Sequence, residues 1–159
     1  MNTTYKQLNK SERGFTIIEV VLVLAIAGLI FLMVFLALPA LQRGQRDAQR
    51  RDDAARVVSQ LTSYKTNNKG SLPDTGSAFS SFVTSYMRSG GDSFVDPQSG
   101  TDYVINTSAD GDDTLSVGQI QYMRNASCDG ENIVTGGGVR QGAVRIKLEG
   151  SGHFCQNAS

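Results

Sequence analysis

The chain has 159 residues, room for one modest domain plus a further segment but not for two independent cores. Lys and Arg number 15 against 15 Asp and Glu, and a balanced total lacks the basic surplus that phosphate binding needs, so a nucleic-acid partner is not expected. The distribution along the chain is uneven, and it organises the molecule.

Residues 1–14 carry Lys6, Lys10 and Arg13 against Glu12. Residues 15–38 then read FTIIEVVLVLAIAGLIFLMVFLAL, an apolar run whose one charge is Glu19. A membrane-crossing helix needs about 20 such residues. A secretory signal would be shorter and would end in a small-residue cleavage site, which does not follow here. An ionised carboxylate in hydrocarbon costs about 2.5 kcal/mol or more. Glu19 therefore has to find a partner, become protonated or reach the membrane interface.

Helical character continues past Pro39. Residues 41–69 hold seven basic side chains against three acidic ones, with Asp47/Arg51 and Asp52/Arg56 in the favourable i,i+4 order. Ala48, Ala55, Val58 and Leu61, with Tyr64 close by, form the apolar stripe expected to pack on a domain. Gly70 and Pro73 stop the pattern. One helix over residues 15–69 would be about 80 Å long at the usual rise. Bending or local melting is expected between Pro39 and Gly44.

Residues 70–159 reverse the balance, with five basic and ten acidic side chains. Phe79, Phe82, Val83, Tyr86 and Met87 predict a short helix over residues 77–90, with Ser77 capping its start and Gly90 its end. Strands are predicted over residues 103–107, 117–123 and 143–149, with a final short one through 153–156. In the third, Val144, Ile146 and Leu148 alternate with Arg145, Lys147 and Glu149, the pattern of an antiparallel sheet with one face in water. Gly136–Gly138 and Gly150–Gly152 mark turns. Cys128 and Cys155 read as one disulfide in an oxidising compartment, worth about 3–4 kcal/mol to a small core, or as two thiols in a reducing one. The expected fold class is α+β: a long helix, membrane-spanning in its first half and amphipathic in its second, laid on a small antiparallel sheet.

Three motifs in this part carry weaker signals. DPQSGTDY, from Asp96 to Tyr103, reads as a turn that launches a strand. Asp110, Asp112 and Asp113 offer hard oxygen ligands of the kind calcium takes, with Asp129 and Glu131 as further donors, but lack the spacing of an EF-hand. A solvated loop is the competing reading. Asn106, Asn125 and Asn157 match the glycosylation acceptor pattern, read here as chance. Catalysis finds little support: His153 is the only histidine, and no phosphate-cradling or nucleophile-elbow motif occurs. No cofactor and no enzymatic activity are expected.

RGFTIIEVVLVLAIAGLI, from Arg13 to Ile30, resembles the N-terminal signature of type IV pilins and type II secretion pseudopilins. The pattern is a short charged leader ending in Gly14, then Phe15, then an apolar helix with Glu19 four residues on. The resemblance covers the first third of the chain. It implies a leader of residues 1–14 cut between Gly14 and Phe15 by a prepilin peptidase, with methylation of the new Phe15 amine. Residues 15–40 would be the membrane and filament-core helix, 41–69 its amphipathic half and 70–159 the globular head. In the filament, Glu19 of one subunit would accept the Phe15 amine of the next, fixing axial register. The same resemblance places the leader in the cytoplasm, the subunit in the cytoplasmic membrane before assembly, and the product in an extracellular pilus. Implied partners are further copies of the chain, the peptidase and an assembly machinery.

Three functional readings follow: a pilus subunit, a secretion pseudopilin, and a membrane-anchored extracytoplasmic binding module that never polymerises. The cysteine pair resembles the disulfide-bounded region of pilins. The Asp96–Tyr103 turn is similar to that of major pseudopilins, without the aromatic that usually follows its proline.

Overall fold

The computed structural model describes residues 14–91, 93–106, 115–150 and 152–158. Helix α1 (Ile17–Asn67) accounts for 51 of them. It starts where Thr16 accepts the Glu19 backbone N–H on its side-chain oxygen (3.3 Å) and on its carbonyl (3.1 Å). The helix continues unbroken through Pro39 and Gly44, so the expected melting there does not occur. A mid-helix proline removes one hydrogen bond, while its neighbours Leu36, Ala37, Leu38, Ala40 and Leu41 are strong helix formers. Lys69 (φ 57) and Gly70 (φ 83) adopt left-handed backbone just beyond Asn67, and the Gly70 N–H closes on the Lys65 carbonyl at 2.8 Å.

The described residues divide into two units between Ala40 and Leu41. In the first, no residue is buried. In the second, α1 buries Arg50, Ala54, Val57 and Leu61. The expected stripe is corrected in part: Ala48 and Ala55 are exposed, whereas Leu61 is buried in the core and the half-buried Val58 and Tyr64 pack against it. Arg50 holds a core position, which a hydrophobic pattern cannot reveal. Asp47 likewise pairs with Arg50 at 3.1 Å, three residues on, and not with Arg51.

Helix α2 (Ser77–Phe82) runs into a π-helical turn, Val83–Met87. Its N-cap is Gly76 with no side-chain cap bond, so Ser77 does not take that role. The apolar set behaves as its spacing predicts: Phe79, Phe82, Val83 and Met87 are buried and Tyr86 half-buried. Burying side chains of this size stabilises the fold by about 1.5–3 kcal/mol each.

The strands are β1 (Val104–Asn106), β2 (Gln119–Arg124), β3 (Ala126–Asp129), β4 (Asn132–Thr135), β5 (Gly142–Lys147) and β6 (His153–Ala158). Four form a sheet in the order β1-β2-β5-β6, and β3 and β4 form a separate hairpin. The pairs β2–β5 and β5–β6 are antiparallel, whereas β1 runs parallel to β2 and corrects the expectation of a wholly antiparallel sheet. Register sorts the side chains by face. Ile120 opposite Ile146 and Tyr122 opposite Val144 share the core with Leu61, Phe79 and Phe82. The Phe79 and Tyr122 rings stack 4.4 Å apart, and the Tyr122 hydroxyl donates to the Pro73 carbonyl at 2.9 Å.

The opposite face is not in water, contrary to the alternation in β5. Met123 and Ala143 pack with Ala126 and Ile133 of the hairpin, and Cys128 and Cys155 close on this second small core. Arg145 is consequently fully buried; its Nε donates to Gln121 at 3.1 Å and its Nη1 to Asn132 at 3.4 Å. The disulfide between Cys128 and Cys155, with Cα atoms 5.8 Å apart, joins the hairpin to β6.

Candidate functional site

The residues that carry processing and assembly in the family pattern lie at the start of α1. Gly14 is exposed, with open space where a side chain would begin. Phe15 is 85% exposed, and Ile17 through Leu41 present apolar side chains to the exterior almost without exception. Phe15, just before α1 begins, lines one shallow apolar hollow with Glu19, Val20, Val23 and Leu24, whose mutual spacings of three and four place them along one side of the helix. The structure thus brings Phe15 and Glu19 to the same side of the first turns.

The backbone of Glu19 also has a local role. The spacing Thr16-x-x-Glu19 is that of a capping box, in which the threonine satisfies an orphan N–H at the third helical position. An acidic side chain in the first turn further suits the positive end of the helix dipole. Sequence reading could have found this signal in the four residues TIIE. Among the described residues, α1 is the one helix long and apolar enough to cross a membrane.

The remaining candidates separate. Cys128 and Cys155 are bonded to each other. Asp110, Asp112 and Asp113 lie outside the described residues. Glu131 accepts the His153 backbone N–H at 2.8 Å, and Asp129 ends β3 where the hairpin turns. Asn125 sits in a left-handed turn (φ 56), and the Asn157 side chain accepts the Cys128 N–H at 2.7 Å.

A cluster that sequence reasoning missed lies farther along α1. Arg46 grips Glu149 with two parallel bonds, 2.5 Å from Nε and 2.6 Å from Nη2. Arg50, wholly buried, donates to Asp96 (2.7 Å), Glu149 (2.8 Å) and Asp47 (3.1 Å). Asp47 in turn accepts the backbone N–H groups of Glu149 and Gly150 at 2.8 and 3.1 Å. Asp96 takes those of Gln98 and Ser99 at 3.1 and 3.0 Å, which makes the DPQSG segment a side-chain-closed turn. Beside them, the Tyr103 hydroxyl donates to Asp53 at 2.8 Å.

The electrostatics follow from these contacts. Hydrogen bonds from Arg46, against opposing burial and with help from Arg50, hold Glu149 down to about 2. Burial pushes Asp96 up, but the Arg50 guanidinium and the Ser99 and Gln98 N–H groups leave it below the usual carboxylate range. Burial raises Asp53 despite the Tyr103 bond. The five acids and bases of the cluster sit at positions 46, 47, 50, 96 and 149, and no local motif links numbers so far apart.

A family model for the prokaryotic N-terminal methylation motif matches residues 9–35. No curated protein and no solved structure matches the chain. The motif implies processing by a prepilin peptidase, and a single apolar N-terminal helix that carries it is consistent with a membrane-anchored precursor. The methylation motif and the long apolar helix together fit the type IV pilin and pseudopilin family.

Proposed function

We propose that the chain is a structural, non-enzymatic subunit of a type IV pilus-like filament. The observation that carries the proposal is the exposed apolar first half of α1, with Phe15 and Glu19 lining one hollow at its start. Exposed apolar surface of this extent needs lipid before assembly and other copies of itself afterwards. Cleavage after Gly14 would leave a cationic amine on Phe15, one turn from the Glu19 carboxylate. Each group is unfavourable alone in an apolar bundle, and each is neutralised when Glu19 of one subunit meets Phe15 of the next. In this reading Cys128–Cys155 protects a small domain outside the cytoplasm.

A pseudopilin of a secretion system is the second reading, favoured by the Asp96 turn. The experiment that separates the readings is the N-terminal mass of the protein in material sheared from cells, compared with the membrane fraction. A chain starting at Phe15 in sheared material is the expected result. The same chain confined to the membrane replaces the pilus with the pseudopilin. A chain still bearing residues 1–14 removes both and leaves an anchored module.

A further inference from the structure

The cluster around Arg50 faces three segments of chain onto one guanidinium. Helix α1 contributes Arg46, Asp47, Arg50 and Asp53, with Arg56 one turn on, donating to the Met87 carbonyl at 3.2 Å. The turn after β5 contributes Glu149, the loop before β1 contributes Asp96, and Tyr103 lies beside them on Asp53. Within this set two guanidinium groups meet three carboxylates: Asp47, Asp96 and Glu149. Arg50 has no exposed side-chain surface. A guanidinium does not deprotonate in proteins, so it cannot escape burial by becoming neutral. The carboxylates of Asp96 and Glu149, however, can each take up one proton from solvent.

We infer that this cluster is an acid-released latch, in which protonation of Asp96 and Glu149 frees residues 96–101 and 148–150 from α1 while the sheet stays folded. Its logic is that a buried cation stripped of its counter-charges is far less favourable than one in water, whereas a buried pair in balance adds little net stability. The segments that hold the counter-charges are short surface connections. The strands behind them are tied by ladder bonds and by the Cys128–Cys155 bridge. Release at the connections is therefore the smaller rearrangement. The sign agrees with the depressed carboxylates: what Asp96 and Glu149 contribute is present above their ordinary range and is lost as pH falls towards their folded values. The inference rests on the cluster alone and is independent of whether the chain polymerises.

Amide hydrogen exchange on the full chain in detergent micelles, corrected for intrinsic rates, tests it between about pH 7 and about pH 2.5. Protection of residues 96–101 and 148–150 is expected to fall about tenfold more than that of β2. In Glu149→Gln, which keeps the shape and removes one counter-charge, the step should move to higher pH. In Arg50→Met the acid step at residues 96–101, whose Asp96 pairs with Arg50, should vanish, while Arg46 still holds Glu149. Segments that hold their protection in acid would overturn the latch, as would segments that open only together with β2 and β5. Should Arg50→Met not fold, Glu149→Gln decides alone, and an unmoved step overturns it.

Discussion

A side chain added at Gly142 would begin 2.9 Å from the Tyr122 ring and 3.2 Å from the Met123 carbonyl, inside a core that is already full. Gly142→Ala should therefore destabilise by about 1–3 kcal/mol, the usual range for overpacking, as read from urea unfolding. Nothing in the sequence distinguishes this glycine from those of the neighbouring turns, because its constraint comes from a ring twenty residues earlier. Glu19 is the opposite case. Its place in an apolar run is visible in sequence, and the structure adds that its backbone N–H is capped by Thr16. Because that cap uses the backbone, Glu19→Leu should leave helix initiation and membrane insertion intact while abolishing or strongly reducing filament yield. Electron microscopy of sheared material, beside membrane-fraction immunoblots, measures both. Filaments at wild-type yield would remove the proposed Phe15–Glu19 pairing.

At the scale of elements, strong periodicity was legible and tertiary cover was not. The apolar set of α2 and the alternation in β5 are written in the sequence, and the buried Phe79, Phe82, Val144 and Ile146 follow them. What alternation cannot say is whether its polar face meets water, and here a hairpin lies on it. That hairpin had a readable cue in Gly130-Glu131, a two-residue loop with glycine at its first position, φ 61. Its strands are only four residues each and lack strong alternation. Packing on β5 and β6 and the disulfide, more than propensity, hold them in place. The bridge joins cysteines 27 residues apart, so Cys128→Ser with Cys155→Ser should cost about 3–4 kcal/mol by loop entropy. Exchange should accelerate first in β3 and β4, where the small core of Ala126 and Ile133 loses its tie, and later in β2 and β5. Uniform acceleration across both sheets would show instead that the hairpin is integral to the main core.

For the whole molecule, the charge partition takes on a different meaning once contacts are known. A basic stretch followed by an acidic domain suggests complementary partners, yet Arg46 and Arg50 of the one are neutralised by Asp96 and Glu149 of the other. Much of the asymmetry is thus spent within the fold, which is why it is a poor guide to what the protein binds. Apolar surface divides more sharply. Every buried residue among those described lies at or beyond Arg50, while the large exposed apolar side chains run almost continuously from Phe15 to Leu41. The core therefore owes nothing to the segment before Leu41, and that segment contributes surface rather than stability. A chain beginning at Leu41 should fold with its disulfide formed, remain monomeric without detergent, and unfold cooperatively, as followed by circular dichroism and sedimentation. The full chain should need detergent or lipid to stay dispersed, because the surface it adds has no partner in water. A truncated chain that stays unfolded, or that aggregates as the full chain does, would place part of the folding determinant before Leu41 and break the separation between a self-sufficient domain and a helix whose partners come from outside the chain.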